Sequence, residues 1–111
     1  MKNFVSAAIQ FEAEPMNVKV NLQKAYHLIG NCKRETGASL MVLPESFTTG
    51  FTPTGNAESL WAVVDFVPGS LTDEAVRWAQ EFDTYICFPT YERGKERGVI
   101  YNSAAIVGPE G

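Results

Sequence analysis

Short apolar runs alternate with amphipathic helical segments along the chain, and this alternation constrains the fold more than any other feature of the sequence. The strand-like runs cover Phe4–Phe11, Ser39–Leu43, Thr84–Tyr91 and Val99–Gly108. Apolar residues recur at the three- and four-residue spacing of a helix over Val18–Thr36 and Pro68–Phe82. The resulting order, β, α, β, loop, α, β, β, predicts a layered α/β domain with helices packed on a sheet.

The ends of the predicted helices carry residues that are suited to capping. Asn17 precedes the first helix and can accept a hydrogen bond from its first turn, whereas Gly37 follows that helix and suits a C-cap. Ser70 or Thr72 is the predicted cap of the second helix. The segment Ser59–Val67 fits either a short helix or an extended run, so its structure stays open.

Composition and charge are those of one small acidic globular domain. The chain has 111 residues, of which 45% are hydrophobic and 20% are charged, and its formal net charge is −4. Its basic groupings, Lys33–Arg34 and Arg93–Arg97, have glutamates beside or within them. Nucleic-acid binding is therefore not expected, because phosphate recognition requires a net basic face.

The sequence has no pattern typical of a targeting signal or of a membrane span. The apolar residues near the N-terminus are interrupted by Gln10, Glu12 and Glu14, and no run approaches the roughly 20 apolar residues that cross a bilayer. Cys32 and Cys87 lack CxxC spacing and fit free thiols in a reducing cytoplasm, with pairing as the alternative. We find no zinc, calcium or phosphate-loop motif and predict no metal or cofactor.

The segment SLMVLPESFTTGF, residues 39–51, places a carboxylate directly after a strand that is too apolar to favour one. Glu45 lies at the predicted carboxyl end of that strand, where open α/β sheets bind ligands. In one interpretation Glu45 is a general acid or base, held in an apolar recess that favours its protonated form. The recess would be formed by Leu43, Phe47 and Phe51. In the other interpretation Glu45 is a solvated loop acid or a cap on the following turn.

Three segments of the chain resemble the nitrilase superfamily, the carbon–nitrogen hydrolases. GASLMVLPESFTTGF, residues 37–51, is similar to the family's first signature, in which an apolar strand leads into Pro-Glu and then Gly-aromatic. Residues 21–45 resemble the family's first helix and second strand. Residues 91–111 resemble its hairpin with Tyr-Asn-Ser, the strand after it and a Pro-acid-Gly turn. The resemblance extends over nearly the whole chain, and residues 52–69 contribute least to it.

This resemblance implies a partial αββα sandwich, with helices packed on a mixed sheet, and assembly into homo-oligomers. Members of the family hydrolyse small amides, nitriles and N-carbamoyl compounds through a Glu-Lys-Cys mechanism with a thioester intermediate. The glutamate takes the proton of the thiol, and the lysine stabilises the negative charge that develops. Residues 1–111 are accordingly expected to form a single domain, the N-terminal part of a carbon–nitrogen hydrolase domain that continues beyond the chain.

Of the three catalytic residues that the resemblance implies, only the glutamate carries over, onto Glu45. The lysine and the cysteine of the family follow the Tyr-Asn-Ser strand, and the sequence reaches Gly111 before either of them. Cys87 precedes that strand and lies mid-strand, where a cysteine is usually a small buried apolar residue. Cys32 lies on the apolar face of the first helix and Lys95 in a charged hairpin tip. The chain alone is therefore expected to be inactive.

The other polar and aromatic candidates have mainly structural interpretations. Asn102 and Ser103 form a polar pair in an apolar strand, and Asn102 is expected to bond a neighbouring loop. Phe51 is the candidate substrate-binding residue, with core packing as the alternative for Phe51 and for Tyr101. His27, the single histidine, adjoins the apolar stripe of the first helix without a partner at ligand spacing, which favours a structural role.

Three interpretations of function stay open for the chain at this point. The first is the glutamate-bearing part of a carbon–nitrogen hydrolase that acts on a small amide, nitrile or N-carbamoyl substrate. The second is a catalytically inactive α/β fragment, or a binding or assembly module. The third is an unrelated α/β domain that binds a small ligand and has the Pro-Glu pair by coincidence. If the chain is part of a longer hydrolase domain, the strand at Val99–Val107 is expected to leave an uncovered edge or apolar surface, which predicts self-association.

Overall fold

The computed structural model of the chain describes residues 4–50, 57–96 and 98–111. In chain order, the elements are β1 (Ser6–Ala8), α1 (Val18–Thr36), β2 (Leu40–Val42), α2 (Ala57–Val63), α3 (Ser70–Phe82), β3 (Tyr85–Arg93) and β4 (Ile100–Val107). The α/β class and the predicted order are confirmed. The segment that the sequence left open contributes α2, and β1 is shorter than its apolar run.

The strands form one mixed sheet in the order β1-β2-β3-β4, which is also their order in the chain. β1, β2 and β3 run parallel, with Ala7 opposite Met41 and Met41 opposite Ile86. Parallel neighbours require long crossover connections, and α1 and α3 lie within these connections. β4 pairs antiparallel with β3, and Arg93 lies opposite Ile100, so the charged segment between them is a hairpin connection as predicted.

The ends of α1 are those that the sequence predicted. The side chain of Asn17 accepts a hydrogen bond from the backbone N–H of Val20 at 3.2 Å. Gly37 has φ 67° and ψ 21°, and its N–H donates to the carbonyl of Lys33 at 2.9 Å. Because a β-carbon disfavours this left-handed conformation, glycine is the residue that ends the helix most readily.

The start of α3 differs from the prediction, because its cap comes from further upstream. The carboxylate of Asp65 accepts hydrogen bonds from the backbone N–H groups of Ser70 at 2.7 Å and Leu71 at 3.3 Å. Gly69 is the N-cap and Ser70 the first helical residue, so neither Ser70 nor Thr72 is itself the N-cap. The predicted role of Thr72 in capping is confirmed in another form, because its hydroxyl accepts a hydrogen bond from the Gly69 N–H at 2.8 Å. Burial alone would raise the pKa of Asp65, but the bonds donated by the Ser70 hydroxyl and by backbone N–H groups lower this pKa below its ordinary value.

The core lies between the sheet and the two long helices, which pack on the same face of the sheet. Core side chains that are at most 3% exposed include Ala25, Ile29, Met41, Ala75, Trp78, Ala79, Ile86 and Phe88. Alternate strand residues point to the opposite side. We call this side the helix-free face because the two long helices, α1 and α3, pack on the other side; it carries Val42, Cys87, Asn102 and Ile106. Val42 is 40% exposed and Ile106 is 72% exposed, so this face presents apolar surface to solvent.

Candidate active site

Glu45 lies in the loop that follows the carboxyl end of β2, as the sequence predicted. β2 ends at Val42, and residues 45–50 then turn back through a bond from the Gly50 N–H to the Ser46 carbonyl at 2.9 Å. Gly50 has φ 88°, a conformation that favours glycine, and Ser46 adopts φ 49° despite its β-carbon. The residue next to Glu45 is therefore held in an uncommon backbone conformation.

The loop of residues 45–50 is fixed to the rest of the domain by buried polar groups. Asn21 of α1 is fully buried, and its side-chain amide donates to the Thr48 carbonyl at 2.9 Å. The same side chain accepts from the Glu14 N–H at 2.7 Å and donates to the Glu14 carbonyl at 2.8 Å. The hydroxyls of Thr48 and Thr90 share a further bond at 3.0 Å. α1, the β1–α1 loop and β3 thus all contribute to placing Glu45.

Phe47 anchors the same loop in the hydrophobic core. Its side chain is fully buried and packs edge-on against Phe88, with ring centroids 4.8 Å apart, and against Phe11, at 5.9 Å. Such aromatic pairs add to the burial of the rings themselves. The loop of residues 45–50 is therefore held in place by side-chain packing as well as by hydrogen bonds.

The carboxylate of Glu45 points away from this core and contacts β4. Its Oε1 accepts a hydrogen bond from the side-chain amide of Asn102 at 2.9 Å. Asn102 is opposite Tyr91 and lies four residues from Ile106, so the bond places the carboxylate at the helix-free face. The expectation that Asn102 bonds a neighbouring loop is confirmed.

Leu43 and Phe47 do not enclose the Glu45 carboxylate as predicted. Glu45 is exposed, whereas Leu43 and Phe47 are buried beneath the helices. Phe51, the third predicted member of the apolar recess, falls outside the described residues. Glu45 does line a cleft of about 360 Å³ between the β1–α1 loop and its own loop. Other lining residues include Phe11, Glu12, Pro15 and Pro44.

The structure places the remaining predicted candidates away from the Glu45 carboxylate or outside the described residues. Phe51 falls outside the described residues. Cys87 is half-buried on the helix-free face, opposite Ile106 of β4. Ile106 and Asn102 are four residues apart on β4, which corresponds to about 13 Å along the strand. Cys32 is half-buried against the core, as predicted.

His27 and Lys95 are both exposed side chains in the part of the chain that the structure describes. His27 is exposed on α1 and lies edge-on to Tyr26. Lys95 is exposed at the turn between β3 and β4. Over the described ranges, no group of three or more His, Cys, Asp or Glu side chains is arranged to hold a metal ion. In the same part of the chain, no helix combines the length and apolar character of a membrane span.

A second cleft, of about 500 Å³, lies beside the β3–β4 hairpin, and Arg93, one of the charged residues that line it, has a structural role. The guanidinium of Arg93 lies over the Trp61 ring, 4.4 Å from its centroid, and donates to the carbonyls of Trp61 and Ala62. These contacts satisfy carbonyl groups at the C-terminal end of α2. Arg93 therefore fastens α2 to the sheet.

A family model provides the comparison that decides the classification of the chain. The model for carbon–nitrogen hydrolases matches residues 6–111. The chain belongs to the carbon–nitrogen hydrolase family. The resemblance inferred from its motifs is thereby confirmed.

Curated relatives of this carbon–nitrogen hydrolase chain carry the names of two enzymes. A nitrilase from Pyrococcus abyssi (strain GE5 / Orsay) is 34% identical over 106 residues, which are 95% of this chain and 39% of the nitrilase. A formamidase from Bacillus cereus (strain AH820) is 29% identical over 119 residues and matches all of this chain and 34% of the formamidase. The chain thus spans between a third and two fifths of the length of these relatives.

A solved structure supports the same fold for this carbon–nitrogen hydrolase chain. The crystal structure of a CN-hydrolase superfamily protein from Xanthomonas campestris superimposes with a TM-score of 0.80 at 16% sequence identity. The superposition covers 99% of this chain and 38% of the Xanthomonas chain. At that identity, the likeness concerns the fold. The α/β class with a mixed sheet is therefore that of nitrilase-fold proteins.

Sequence reasoning missed the residues that hold the Glu45 loop of this carbon–nitrogen hydrolase chain. Asn21, Thr48 and Thr90 are all at most 2% exposed, and none of them was singled out. A signal for Asn21 was present, because it lies one helical turn before Ala25 and two turns before Ile29 on the buried side of α1. A polar side chain on an apolar stripe must find partners when it is buried.

Proposed function

We propose that the chain supplies the general base, Glu45, of a carbon–nitrogen hydrolase that acts on a small amide, nitrile or N-carbamoyl substrate. The observation that carries the proposal is the position of the Glu45 carboxylate. It lies beyond the end of a parallel strand, lines a cleft and is held by Asn102 at the helix-free face. Carboxyl ends of parallel strands are where open α/β sheets bind ligands.

The proposed reaction uses Glu45 as a base twice in one cycle. First, Glu45 takes the proton of a cysteine thiol, and the thiolate attacks the substrate carbon. With an amide or N-carbamoyl substrate, the protonated Glu45 then gives its proton to the departing nitrogen, which leaves a thioester. With a nitrile, the thiolate first gives a thioimidate, and a water molecule must add before the nitrogen departs. Finally, Glu45 takes a proton from the water that attacks the thioester and returns this proton to the departing sulfur, which restores the thiol.

The cysteine and the lysine of this scheme are proposed to come from polypeptide that the 111 residues do not include. Two observations support this part of the proposal. Cys87 lies about 13 Å along the sheet from the level of Asn102. The chain also spans only 39% of the nitrilase that it matches. The exposed helix-free face, next to Glu45, is where we propose that this polypeptide packs.

Substitution of Glu45 tests the proposed base, and an exposed glutamate of α1 offers a matched control. In a polypeptide that joins this chain to the cysteine- and lysine-bearing segment, Glu45→Gln is expected to slow thioester formation by about 10²- to 10⁴-fold. Glu35→Gln, which changes a carboxylate that does not line the Glu45 cleft, is expected to retain activity within a few-fold. Mass spectrometry of the acyl-enzyme and release of ammonia are the measurements. Full activity of the Glu45→Gln variant would contradict the proposal.

The alternative is a binding or assembly module without catalysis, and the exposed apolar residues of the helix-free face favour it as a second candidate. An ammonia-release assay of the 111-residue chain with small amides and N-carbamoyl compounds is expected to show no turnover. Turnover by the chain itself would show that its own side chains provide a nucleophile. Inactivity of the joined polypeptide, in contrast, would favour the module.

A further inference from the structure

We propose that Asn102 is a positioning residue for Glu45: it holds Oε1, so that Oε2 is directed to exchange the proton. The inference rests on the proposed function of Glu45 and adds a residue to it. It starts from the bond of 2.9 Å between the Asn102 side-chain amide and Glu45 Oε1.

The chemistry of the two groups fixes which atoms face each other. An ionised carboxylate only accepts hydrogen bonds, so the amide nitrogen of Asn102, and not its oxygen, must face Glu45. When Oε2 takes a proton, Oε1 remains a carbonyl-type acceptor, and the amide can continue to donate to it. The same contact therefore serves both states of the base without rearrangement, which is the property that a preorganised site requires.

The exposure of Glu45 is the reason that such a contact is needed. A glutamate at a solvated position loses side-chain rotamer entropy when it is held in one conformation. Asn102 lies in the regular ladder opposite Tyr91, and the Glu45 loop is fixed by Asn21 and Phe47. The bond therefore joins two rigid parts of the domain through one flexible side chain.

The neighbouring polar groups supply the controls. Ser103, the next residue of β4, donates its hydroxyl to Glu92 at 2.7 Å and lies on the opposite face of the strand from Asn102. Glu12 is the other titratable group that lines the cleft of Glu45, and Tyr91 lies opposite Asn102 on β3. Substitutions of Ser103 and Glu12 thus change nearby polar groups without removing either partner of the Glu45–Asn102 bond.

Nuclear magnetic resonance of the 111-residue chain tests the contact without any need for activity. The side-chain amide signals of Asn102 are expected to move as acid protonates Glu45, and this movement is expected to disappear in Glu45→Gln. It is expected to persist in Glu12→Gln and in Ser103→Ala. Amide signals that are identical in wild type and Glu45→Gln throughout the titration would overturn the inference.

Kinetics of the joined polypeptide test the role of the contact. Asn102→Asp keeps the shape of the side chain but replaces the donor with an acceptor, and Asn102→Ala removes both. Each is expected to lower kcat by about 10- to 100-fold with KM within about threefold, because misplacement of a reacting group lowers the rate of the chemical step. Ser103→Ala is expected to keep kcat. Full kcat in both Asn102 variants, or a loss confined to KM, would overturn the inference.

The outcomes separate this inference from the proposed function. If Glu45→Gln is inactive while both Asn102 variants are fully active, the positioning role fails and the base remains. If Glu45→Gln is fully active, the proposed function fails and the positioning role fails with it, whatever the amide signals show.

Discussion

Replacement of the buried Asn21 by alanine tests whether this one side chain fastens the loop that carries Glu45. Asn21 is fully buried and satisfies three backbone groups, the N–H and carbonyl of Glu14 and the carbonyl of Thr48. Alanine removes all three bonds at once and leaves the Thr48 carbonyl buried without this partner. Because the bonds join three segments of the chain, we expect the free energy of unfolding to fall substantially.

The size of the effect follows from the burial of the groups that lose their partner. A buried donor or acceptor that is left unsatisfied costs about 1–3 kcal/mol. Glu14 is exposed, so water can replace part of the hydrogen bonding that its backbone groups lose. Thr48 is only 1% exposed, so its carbonyl has less access to water. We therefore expect Asn21→Ala to lower the free energy of unfolding by about 2–4 kcal/mol. This is a large part of the roughly 5–15 kcal/mol by which small domains are stable.

Urea denaturation followed by far-ultraviolet circular dichroism measures this loss, and α1 itself supplies the control. Asn31 is an exposed asparagine of the same helix, so Asn31→Ala should change the free energy of unfolding by at most about 0.5 kcal/mol. A loss below 1 kcal/mol for Asn21→Ala, similar to that of the control, would refute the reasoning. It would mean that the Glu45 loop is held without the Asn21 amide.

Asp65 and the helix-free face give two more expectations. Asp65→Ala should cost about 1 kcal/mol at pH 7, as expected for the loss of a helix cap, whereas Asp73→Ala in the first turn of α3 should cost less. Because its hydrogen bonds lower the pKa of Asp65 in the folded state, the wild-type advantage should be complete above the ordinary carboxyl pKa and disappear as pH falls through the lowered value. An advantage in urea denaturation that stays constant down to pH 2 would argue against this cap. The isolated chain should self-associate in size-exclusion chromatography, and Ile106→Lys should reduce this more than Val63→Lys on α2 does, since Ile106 is 72% exposed on the helix-free face. A clean monomer at all concentrations would contradict the expectation.

The sequence predicted the elements whose signals are local. α1 has its stripe, its Asn17 cap and its Gly37 terminus within the helix or next to it, and all three are present in the structure. The cap of α3 was missed because Asp65 reaches Ser70 only through the turn between them, and a search for caps beside the helix does not include such a residue.

At the candidate site, too, local sequence signals predicted the position of Glu45 but not its surroundings. Its position after β2 follows from the local pattern of an apolar run and a proline, and the structure agrees. The exposure of the Glu45 side chain depends on which side of the loop faces the helices. In the structure Phe47 enters the core, whereas Glu45 points to the other side and bonds Asn102, which is 57 residues away in the chain. Pairings over such distances are set by sheet topology, which the chain pattern does not specify.

The identity between sheet order and chain order has a consequence for biosynthesis. Each strand after β1 leaves the ribosome when an earlier strand that it pairs with has already been made, so it can add to the sheet before later segments are synthesised. The sheet can therefore grow from one side during translation, and β4 is the growing edge of its described part.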